Sequence, residues 1–230
     1  MNEEFLKDND YLKKNYEFLG SGLEGSVYKI NEDLVLKKYN IPRNKNIKEI
    51  SKILNTCKYN TFIAPVSYLM KNDKVVGEFL PFFDGKDLTD IKKVLFDILI
   101  ECANKFVQDI EKISLNGIVI QEGNFMINSS SIKMVDTTMF YKLYNFNFDE
   151  LFIDNLRYFF DRLGIVSPFL ISYLKEYNND LMVLYHDVEN YGLFYKELKN
   201  TFENVTKSNV NTIKEGIKKI KILQNKKYVL

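Results

Sequence analysis

The amino-acid sequence predicts an α+β fold in which a β-rich N-terminal lobe is followed by a larger, mainly helical lobe. Short apolar runs separated by turn residues occupy the first part of the chain, a pattern typical of antiparallel strands joined by hairpins. Beyond Pro81, apolar residues recur at helical spacing for most of the remaining sequence, which indicates amphipathic helices. We therefore expect one domain over 1–230, with an N-lobe at about 10–80 and a C-lobe at about 81–230.

The N-lobe is predicted to contain short strands interrupted by one helix. The strand segments are 18–19, 27–30, 34–39, 68–70 and 75–80. After 34–39 come Ile47, Ile50, Ile53 and Leu54, which repeat at helical spacing. They follow Pro42, a residue type that can open a helix but cannot continue one. One helix is therefore expected between the third and fourth strands.

The C-lobe is predicted to be mostly helical. Apolar residues at i, i+3, i+4 and i+7 predict a long helix at 88–113. Further helices are expected at 150–163, 167–177, 189–202 and 208–223. Between the helices at 88–113 and 150–163, the segment 116–136 loses the helical period and is expected to contain two short strands.

Composition and charge limit the possible partners. Lys and Arg number 32 against 31 Asp and Glu, a net charge of +1, so no global field attracts nucleic acid or an anionic membrane. Cys57 and Cys102 are far apart in the sequence, which argues against a disulfide framework or a zinc cluster. No apolar run approaches the roughly 18 residues of a membrane-spanning helix. These features predict a cytoplasmic protein without nucleic-acid or membrane partners.

A glycine-rich segment lies between the first two predicted strands. Residues 20–28 read Gly-Ser-Gly-Leu-Glu-Gly-Ser-Val-Tyr and match the pattern G-x-G-x-x-G-x-V. The glycines of a dinucleotide fingerprint lead into a helix, whereas this segment leads into a strand. In such a loop the missing side chains let backbone N–H groups approach phosphate oxygens. The alternative is an ordinary glycine-rich hairpin.

A lysine follows the glycine-rich segment at a useful position. Lys37 ends the run Leu-Val-Leu-Lys, and the period of two puts it on the same strand face as Val35. This face is expected to point toward bound phosphates. The alternative is that Lys37 and Lys38 are both solvated residues at the end of a strand.

In their order along the chain, these motifs resemble a bacterial branch of the eukaryotic-type protein kinase superfamily, over roughly residues 16–165. The resemblance implies a bilobal fold that binds ATP and Mg2+. It also implies that Glu49, on the helix between the strands, pairs with Lys37 and holds it in position. The alternative for Glu49 is an exposed helix residue. The implied nucleotide contacts are Gly20, Ser21, Gly22, Gly25, Val27, Val35, Lys37 and, at the hinge that binds adenine, Glu78 and Leu80.

Residues 114–127 resemble the kinase catalytic loop but differ from it at several positions. Ile120, Gln121 and Glu122 stand where kinases have histidine, arginine and the aspartate that accepts the substrate's proton. Only Gly123 separates Glu122 from Asn124, which matches the metal-binding asparagine. Kinases have four residues in that interval. Glu122 is therefore a candidate base on a substituted and shortened loop.

A second metal-binding position is implied farther along the chain. Asp136 ends an apolar strand and matches the magnesium-binding aspartate of Asp-Phe-Gly, with Thr137 and Thr138 replacing Phe and Gly. Because Mg2+ takes oxygen ligands and usually keeps several waters, Asp136, Asn124 and nucleotide phosphates would suffice; a plain turn is the alternative. Asp154 resembles the aspartate that braces the catalytic loop, with an exposed helix acid as its alternative.

Two functional hypotheses follow from the resemblance. The first is a kinase-like phosphotransferase that uses ATP and Mg2+ to phosphorylate a protein or small-molecule hydroxyl, with Lys37, Glu49, Glu122 and Asp136 as its catalytic set. The second is a pseudokinase, in which the same fold serves as a nucleotide-sensing or protein-binding regulatory module. The altered loop motivates the second hypothesis. Both predict nucleotide as a partner, together with a protein substrate or regulatory partner, and the sequence leaves enzymatic activity open.

Overall fold

The computed structural model describes residues 3–43, 47–56, 59–164 and 168–227 and confirms the predicted α+β fold of two lobes. The strands of the N-lobe are β1 (Glu17–Ser21), β2 (Gly25–Asn31), β3 (Leu34–Arg43), β4 (Ser67–Lys71) and β5 (Lys74–Pro81). They form one five-stranded sheet in the order β1-β2-β3-β5-β4, and every pairing is antiparallel. All five strands lie where the alternation of apolar residues predicts them.

Two helices accompany the sheet, and the sequence predicted only one of them. The predicted helix is α2 (Ile47–Thr56), between β3 and β4; the side chain of Ile47 lies outside the described residues. The other is α1 (Asn9–Asn15), which follows a short 3-10 helix at Glu3–Leu6. Asp8 caps α1 by accepting a hydrogen bond from the Tyr11 amide at 2.8 Å.

The N-terminal segment covers one face of the sheet. Phe5 and Leu12 pack in one apolar cluster with Tyr28, Leu36 and Phe79 from β2, β3 and β5. Since successive side chains of a strand alternate between faces, the residues next to these in sequence point to the opposite face, toward the larger lobe. That second face carries the candidate site.

The larger lobe combines short strands with the remaining helices. Its strands are β6 (Lys86–Asp87), β7 (Ile118–Val119), β8 (Asn124–Ile127), β9 (Ile132–Val135) and β10 (Tyr141–Lys142). Its helices are α3 (Phe96–Leu115), α4 (Phe148–Leu163), α5 (Pro168–Leu174), α6 (Asp180–His186), α7 (Tyr191–Thr206) and α8 (Ile213–Lys227). The strands form one sheet in the order β6-β8-β9 and a second of β7 and β10. No helix in the described ranges is both long and apolar enough to cross a membrane.

The helix predictions for this lobe are confirmed at α3, α4, α5, α7 and α8, but some of the predicted boundaries are wrong. α3 begins at Phe96 rather than at residue 88, because β6 and a 3-10 helix at Ile91–Lys93 take up the preceding segment. The side chain of Asp90 ends any continuous helix there by accepting from the Lys92 amide at 3.1 Å. α6 was not predicted, and the predicted start of α5 at Ser167 lies outside the described residues.

The core of the larger lobe is rich in aromatic side chains. Phe106 of α3 and Phe159 of α4 are fully buried, with ring centroids 4.2 Å apart. Phe62 follows α2, and its ring centroid lies 6.0 Å from that of Phe106 and 5.9 Å from that of Phe159. Ile50 and Leu54 of α2 belong to the same cluster, and full burial of such a side chain contributes about 1.5–3 kcal/mol. These contacts fix the rotation of α2 about its axis.

Candidate functional site

Lys37 lies at the centre of a charged cluster on the inner face of the small sheet. Its Nζ is 2.7 Å from Oδ2 of Asp136 and 2.7 Å from Oε2 of Glu24, and the residue is only 9% exposed. Burial alone would lower the pKa of Lys37, but the carboxylates of Asp136 and Glu24 raise it above its ordinary value. Lys37 is therefore a buried ammonium group with two carboxylate partners, which excludes the alternative of a solvated strand end.

Asp136 and Asn124 lie at the same end of the β8–β9 hairpin. The register pairs Asn124 with Val135, so Asp136 comes directly after Asn124's partner. Asp136 has φ of 67° and ψ of 65°, a left-handed conformation that is uncommon outside glycine. Within the described ranges, no three His, Cys, Asp or Glu side chains are grouped to hold a metal ion. A cation bound by Asp136 and Asn124 would therefore need further oxygens from a ligand or from water.

The glycine-rich segment bends over Lys37, and its glycines have different surroundings. A Cβ on Gly25 would lie 2.1 Å from the carbonyl oxygen of Lys38, so Gly25 is required by the close approach of β2 and β3. A Cβ on Gly20 or Gly22 would meet no atom of the described residues within 4 Å. Packing within the chain thus explains glycine at 25 only, whereas positions 20 and 22 leave their backbone open to a ligand. Ser21 ends β1, opposite Ser26, and is exposed.

An apolar patch lies beside the charged cluster. Val27, Val35 and Leu80, all expected to contact the nucleotide, are brought together there with Val135, which immediately precedes Asp136. Ile63, Phe82 and Phe83 complete the patch. The pair Val35–Leu80 and the pair Lys37–Glu78 are successive cross-strand partners on the same face. The site therefore places an apolar surface next to a buried cation.

Glu78 has a position that differs from the hinge position expected for it. It lies in the middle of β5, opposite Lys37 on one side and Tyr68 on the other, because the strand continues to Pro81. The chain leaves the sheet only at Phe82, whose amide donates to the Asp33 carbonyl at 2.8 Å. The hinge prediction for Glu78 is thus corrected, whereas Leu80 keeps a place in the apolar patch.

The carboxyl group of Glu78 is buried beside Lys37. The residue has no exposed surface, and its carboxyl group lies near Lys37 and the Tyr39 hydroxyl. Burial raises the pKa of Glu78 to about 7, against the opposing effect of Lys37. The carboxyl group of Glu78 therefore gains and loses its proton near neutral pH. The sequence analysis had not placed this carboxyl group beside Lys37.

Glu49 does not hold Lys37 in this structure, which corrects the expected ion pair. Its Oε1 lies 3.3 Å from Nζ of Lys142, and its side chain is 49% exposed. Tyr144 donates to its second oxygen at 3.4 Å. The cause is the burial of Ile50 and Leu54, which turns α2 so that Glu49 points toward the strand β10. The alternative of a largely exposed helix residue describes Glu49 better.

The loop between β7 and β8 places Glu122 at the surface. Glu122 and Asn124 are both exposed, and Glu122 has a positive φ of 45°. The backbone amide of Glu122 donates to the Tyr158 hydroxyl at 2.8 Å. Ile120, at the position of the kinase histidine, is buried at 1% exposure. The structure thus fixes the backbone of this loop and leaves the candidate base in solvent.

Asn155, rather than Asp154, braces this loop. Asn155 is buried; its Oδ1 accepts from the Ile120 amide at 2.9 Å, and its Nδ2 donates to the Ile118 carbonyl at 2.9 Å and to Oγ of Ser114 at 2.9 Å. The side chain of Asp154 is 77% exposed and lies 3.9 Å from Arg157. Consecutive residues of a helix are rotated by about 100° about its axis. The rotation of α4 about its axis therefore determines whether Asp154 or Asn155 faces the loop.

Sequence reasoning also missed three residues around Lys37. Glu24 occupies a variable position of the glycine pattern, yet its Oε1 lies 2.6 Å from Nη2 of Arg43. Tyr39 is buried, and its ring lies under both the Arg43 guanidinium and Nζ of Lys37. The shared parity of Lys37 and Tyr39 along β3 was a usable signal, because alternate residues of a strand point the same way. For Arg43 that signal is lost, because the register of β3 shifts between Lys38 and Arg43.

No protein-family model matches the chain, and no curated protein matches it. Among solved structures it is similar to the Legionella pneumophila kinase Lpg2603 bound to IP6, with 20% sequence identity and a TM-score of 0.45. The alignment covers 65% of this chain and spans 58% of that protein's chain.

Proposed function

We propose that this chain is a kinase-like phosphotransferase that binds ATP and Mg2+ and transfers the γ-phosphoryl group to a protein or small-molecule hydroxyl. The observation that carries the proposal is the buried Lys37, 2.7 Å from Asp136, beneath a glycine-rich loop and beside an apolar patch. A cation for phosphates, a carboxylate for a metal ion and an apolar surface for a base are the parts that nucleotide binding needs.

Each part of the site has a distinct task in this proposal. The apolar patch around Val35 and Leu80 would take the base by burial of apolar surface. The backbone at Gly20 and Gly22, where no atom of the described residues would meet a Cβ within 4 Å, would approach the phosphates and donate N–H groups. Lys37 would bind the phosphates as a charged donor, since buried charge-assisted hydrogen bonds are the stronger ones.

Asp136 and Asn124 would hold Mg2+. Both supply oxygen atoms from the same end of the β8–β9 hairpin, and oxygen donors are what Mg2+ requires. Bound Mg2+ neutralises negative charge on the transferring phosphoryl group. Asp136 also orients Lys37 through their ion pair, so one carboxylate would position both the cation and the metal ion.

Glu122 is the candidate general base for the acceptor hydroxyl. It lies two residues before Asn124 on the exposed loop, where an acceptor molecule could reach it from solvent. Phosphoryl transfer depends mostly on positioning and on stabilisation of charge. The base is therefore expected to contribute less to the rate than Lys37 and Asp136.

A second candidate function is a pseudokinase that binds nucleotide without transferring phosphate. The observation favouring it is the loop itself: Ile120 is buried at the histidine position, and Glu122 projects into solvent. In that case the same site would bind nucleotide as a regulatory signal, and the protein would act through a partner.

Incubation with labelled ATP and Mg2+ distinguishes the two functions. We expect labelled phosphate on the protein itself, on proteins of a lysate or on a small-molecule acceptor. Asp136→Asn should reduce transfer by roughly 100-fold or more, because a metal ligand and the partner of Lys37 are lost together. Asp154→Asn, the same change at an exposed site, should leave transfer unchanged.

Two results would redirect the proposal. Stabilisation of the protein by ATP and Mg2+ without transfer to any acceptor would favour the pseudokinase. Equal transfer by wild type and Asp136→Asn would contradict the assignment of the site, whatever the acceptor.

A further inference from the structure

The carboxylate of Glu24 is held by two cations beneath the glycine-rich loop. One oxygen, Oε2, is 2.7 Å from Nζ of Lys37, and the other, Oε1, is 2.6 Å from Nη2 of Arg43. Glu24 belongs to the loop, directly before Gly25, and its side chain contacts two residues of β3. Both oxygens of one anion are thus bound by donors from the same strand.

The two cations, Lys37 and Arg43, are largely buried and are held in place by a shared aromatic neighbour. The side chains of Lys37 and Arg43 are 11% and 21% exposed. Both lie over the ring of the buried Tyr39, with Arg43 Cζ at 4.6 Å and Lys37 Nζ at 5.8 Å from the ring centroid. A cation over an aromatic face is attracted by the ring quadrupole. Tyr39 therefore holds the two positive charges near each other.

The geometry of this site suits a phosphate group. An ammonium group beside a guanidinium presents several N–H donors to neighbouring anionic oxygens, and both groups are common phosphate ligands. A carboxylate with one oxygen on each cation presents the same two contacts that a phosphate would make. Glu24 and a phosphate cannot occupy these donors together.

The loop around Glu24 allows its side chain to leave without unfolding. The Glu24 carbonyl accepts from the Asn40 amide at 2.9 Å, and the Leu23 carbonyl accepts from Asn40 Nδ2 at 3.0 Å. These bonds hold the backbone to β3, whereas the Glu24 side chain is 30% exposed. Rotation about its side-chain bonds is sufficient to move the carboxylate into solvent.

We propose that Arg43 is a second phosphate-binding cation beside Lys37, and that Glu24 occupies this two-cation site as an internal competitor until phosphate groups of a nucleotide displace it. The inference rests on the proposed nucleotide-binding function, which it extends to a residue and a competitor that the kinase resemblance does not imply. The apparent affinity is then reduced by the fraction of molecules in which Glu24 fills the site.

The test compares Glu24→Gln, Arg43→Gln and Arg43→Lys with wild type by titration calorimetry, using MgATP and, separately, inorganic tripolyphosphate. Glu24→Gln should bind both ligands roughly 5–10-fold more tightly, because the competing charge is removed. Arg43→Gln should bind both about tenfold more weakly, and Arg43→Lys should lie between, since it keeps the charge but loses the guanidinium fork. Glu24→Gln should increase the affinity less when it is added to Arg43→Gln than when it is added to wild type.

The controls are the same changes at sites outside the cluster. Glu32→Gln, in a turn where Glu32 pairs with Lys29, and Arg157→Gln, on α4 near Asp154, should leave both affinities unchanged. Circular dichroism of every variant checks that the fold is retained.

The outcomes distinguish a failure of this inference from a failure of the proposed nucleotide-binding function. If wild type binds MgATP and Glu24→Gln binds it equally or more weakly, Glu24 is not a competitor. The proposal of a nucleotide site would be unaffected by that result. Tripolyphosphate binding that tightens in Glu24→Gln without any ATP binding would support the two-cation site and contradict the base-binding patch. No binding of either ligand by any variant would overturn both.

Discussion

The charged cluster around Lys37 and the loop that carries Glu122 differ in how their polar side chains are held. Lys37 is almost completely buried and makes ion pairs of 2.7 Å with two carboxylates from different segments. Glu122 and Asn124 are exposed, and Glu122 is held through its backbone amide, which donates to the Tyr158 hydroxyl. The first region is arranged before any ligand arrives, whereas the second is fixed only in its main chain.

This difference matters because binding and chemistry make different demands. Binding a charged ligand gains from cations that are already oriented, since less conformational freedom is lost on association. Transfer of a phosphoryl group additionally requires the acceptor and its base within hydrogen-bond reach. The structure orients the cation of Lys37 through two ion pairs, whereas it leaves the side chain of Glu122 in solvent.

The largest effect is expected at Asn155, whose bonds hold the backbone of the exposed loop. Asn155→Ala should lower the free energy of unfolding by about 3–5 kcal/mol, because the Ile120 amide, the Ile118 carbonyl and the Ser114 hydroxyl would lose their partner in a buried place. Urea denaturation measures this change. Asp154→Ala is the matched control and should change stability by less than about 0.5 kcal/mol; equal losses would show that the loop is braced otherwise.

A pH-dependent effect is expected at Glu78, the buried acid opposite Lys37. Its pKa in the folded protein is about 7, raised from 4.5, so the folded state binds its proton more tightly than the unfolded state does. The contribution of Glu78 to stability is therefore fully present below about pH 4.5 and is lost as pH rises through 7. Relative to wild type, Glu78→Gln should gain about 2–3 kcal/mol in stability between pH 5 and pH 8.

Denaturation at several pH values checks the Glu78 prediction. Glu32→Gln, at an exposed glutamate, should show no comparable trend. A stability difference between Glu78→Gln and wild type that stays constant from pH 5 to pH 8 would contradict the prediction. It would mean that the carboxyl group of Glu78 does not change its protonation in this range.

The smallest effect is expected at Glu49, which faces Lys142 and not Lys37. Glu49→Ala should change the dissociation constant for MgATP by less than about twofold, because exposed ion pairs contribute little. Isothermal titration measures it directly. A tenfold or larger loss would show that α2 turns on ligand binding and brings Glu49 to Lys37, and the contrast between the two regions would then depend on the bound state.

The sequence predicted the elements better than the contacts. The strands of the small sheet followed from alternation, and Lys37, Val35 and Asp136 were placed together from the order of motifs. α1 was missed because Leu12 is the one residue of this short, polar helix that is buried, which leaves little periodicity to detect. α6 was missed although Asn178 and Asp180 before its apolar residues are typical of a helix start.

The direction in which a side chain points could not be predicted from a linear sequence motif. Glu24 stands at a variable position of the glycine pattern, and only the folded loop brings it to Lys37 and Arg43. Glu49 and Asp154 were each assigned by position on a helix, but buried neighbours such as Ile50 and Asn155 set the helix rotation. A rotation of 100° per residue is enough to exchange an inward for an outward side chain.

The most direct test of the central claim, that Lys37 lies in a nucleotide site, is the dissociation constant for MgATP in wild type, Lys37→Ala and Lys38→Ala. Lys38 is the matched control, because it is the next residue on β3 and its Nζ instead donates to the Lys7 carbonyl. Lys37→Ala should weaken binding roughly 10–100-fold, as expected for loss of a charged donor, while Lys38→Ala stays within about twofold of wild type. Equal affinities in all three proteins, or no MgATP binding by wild type, would contradict the account.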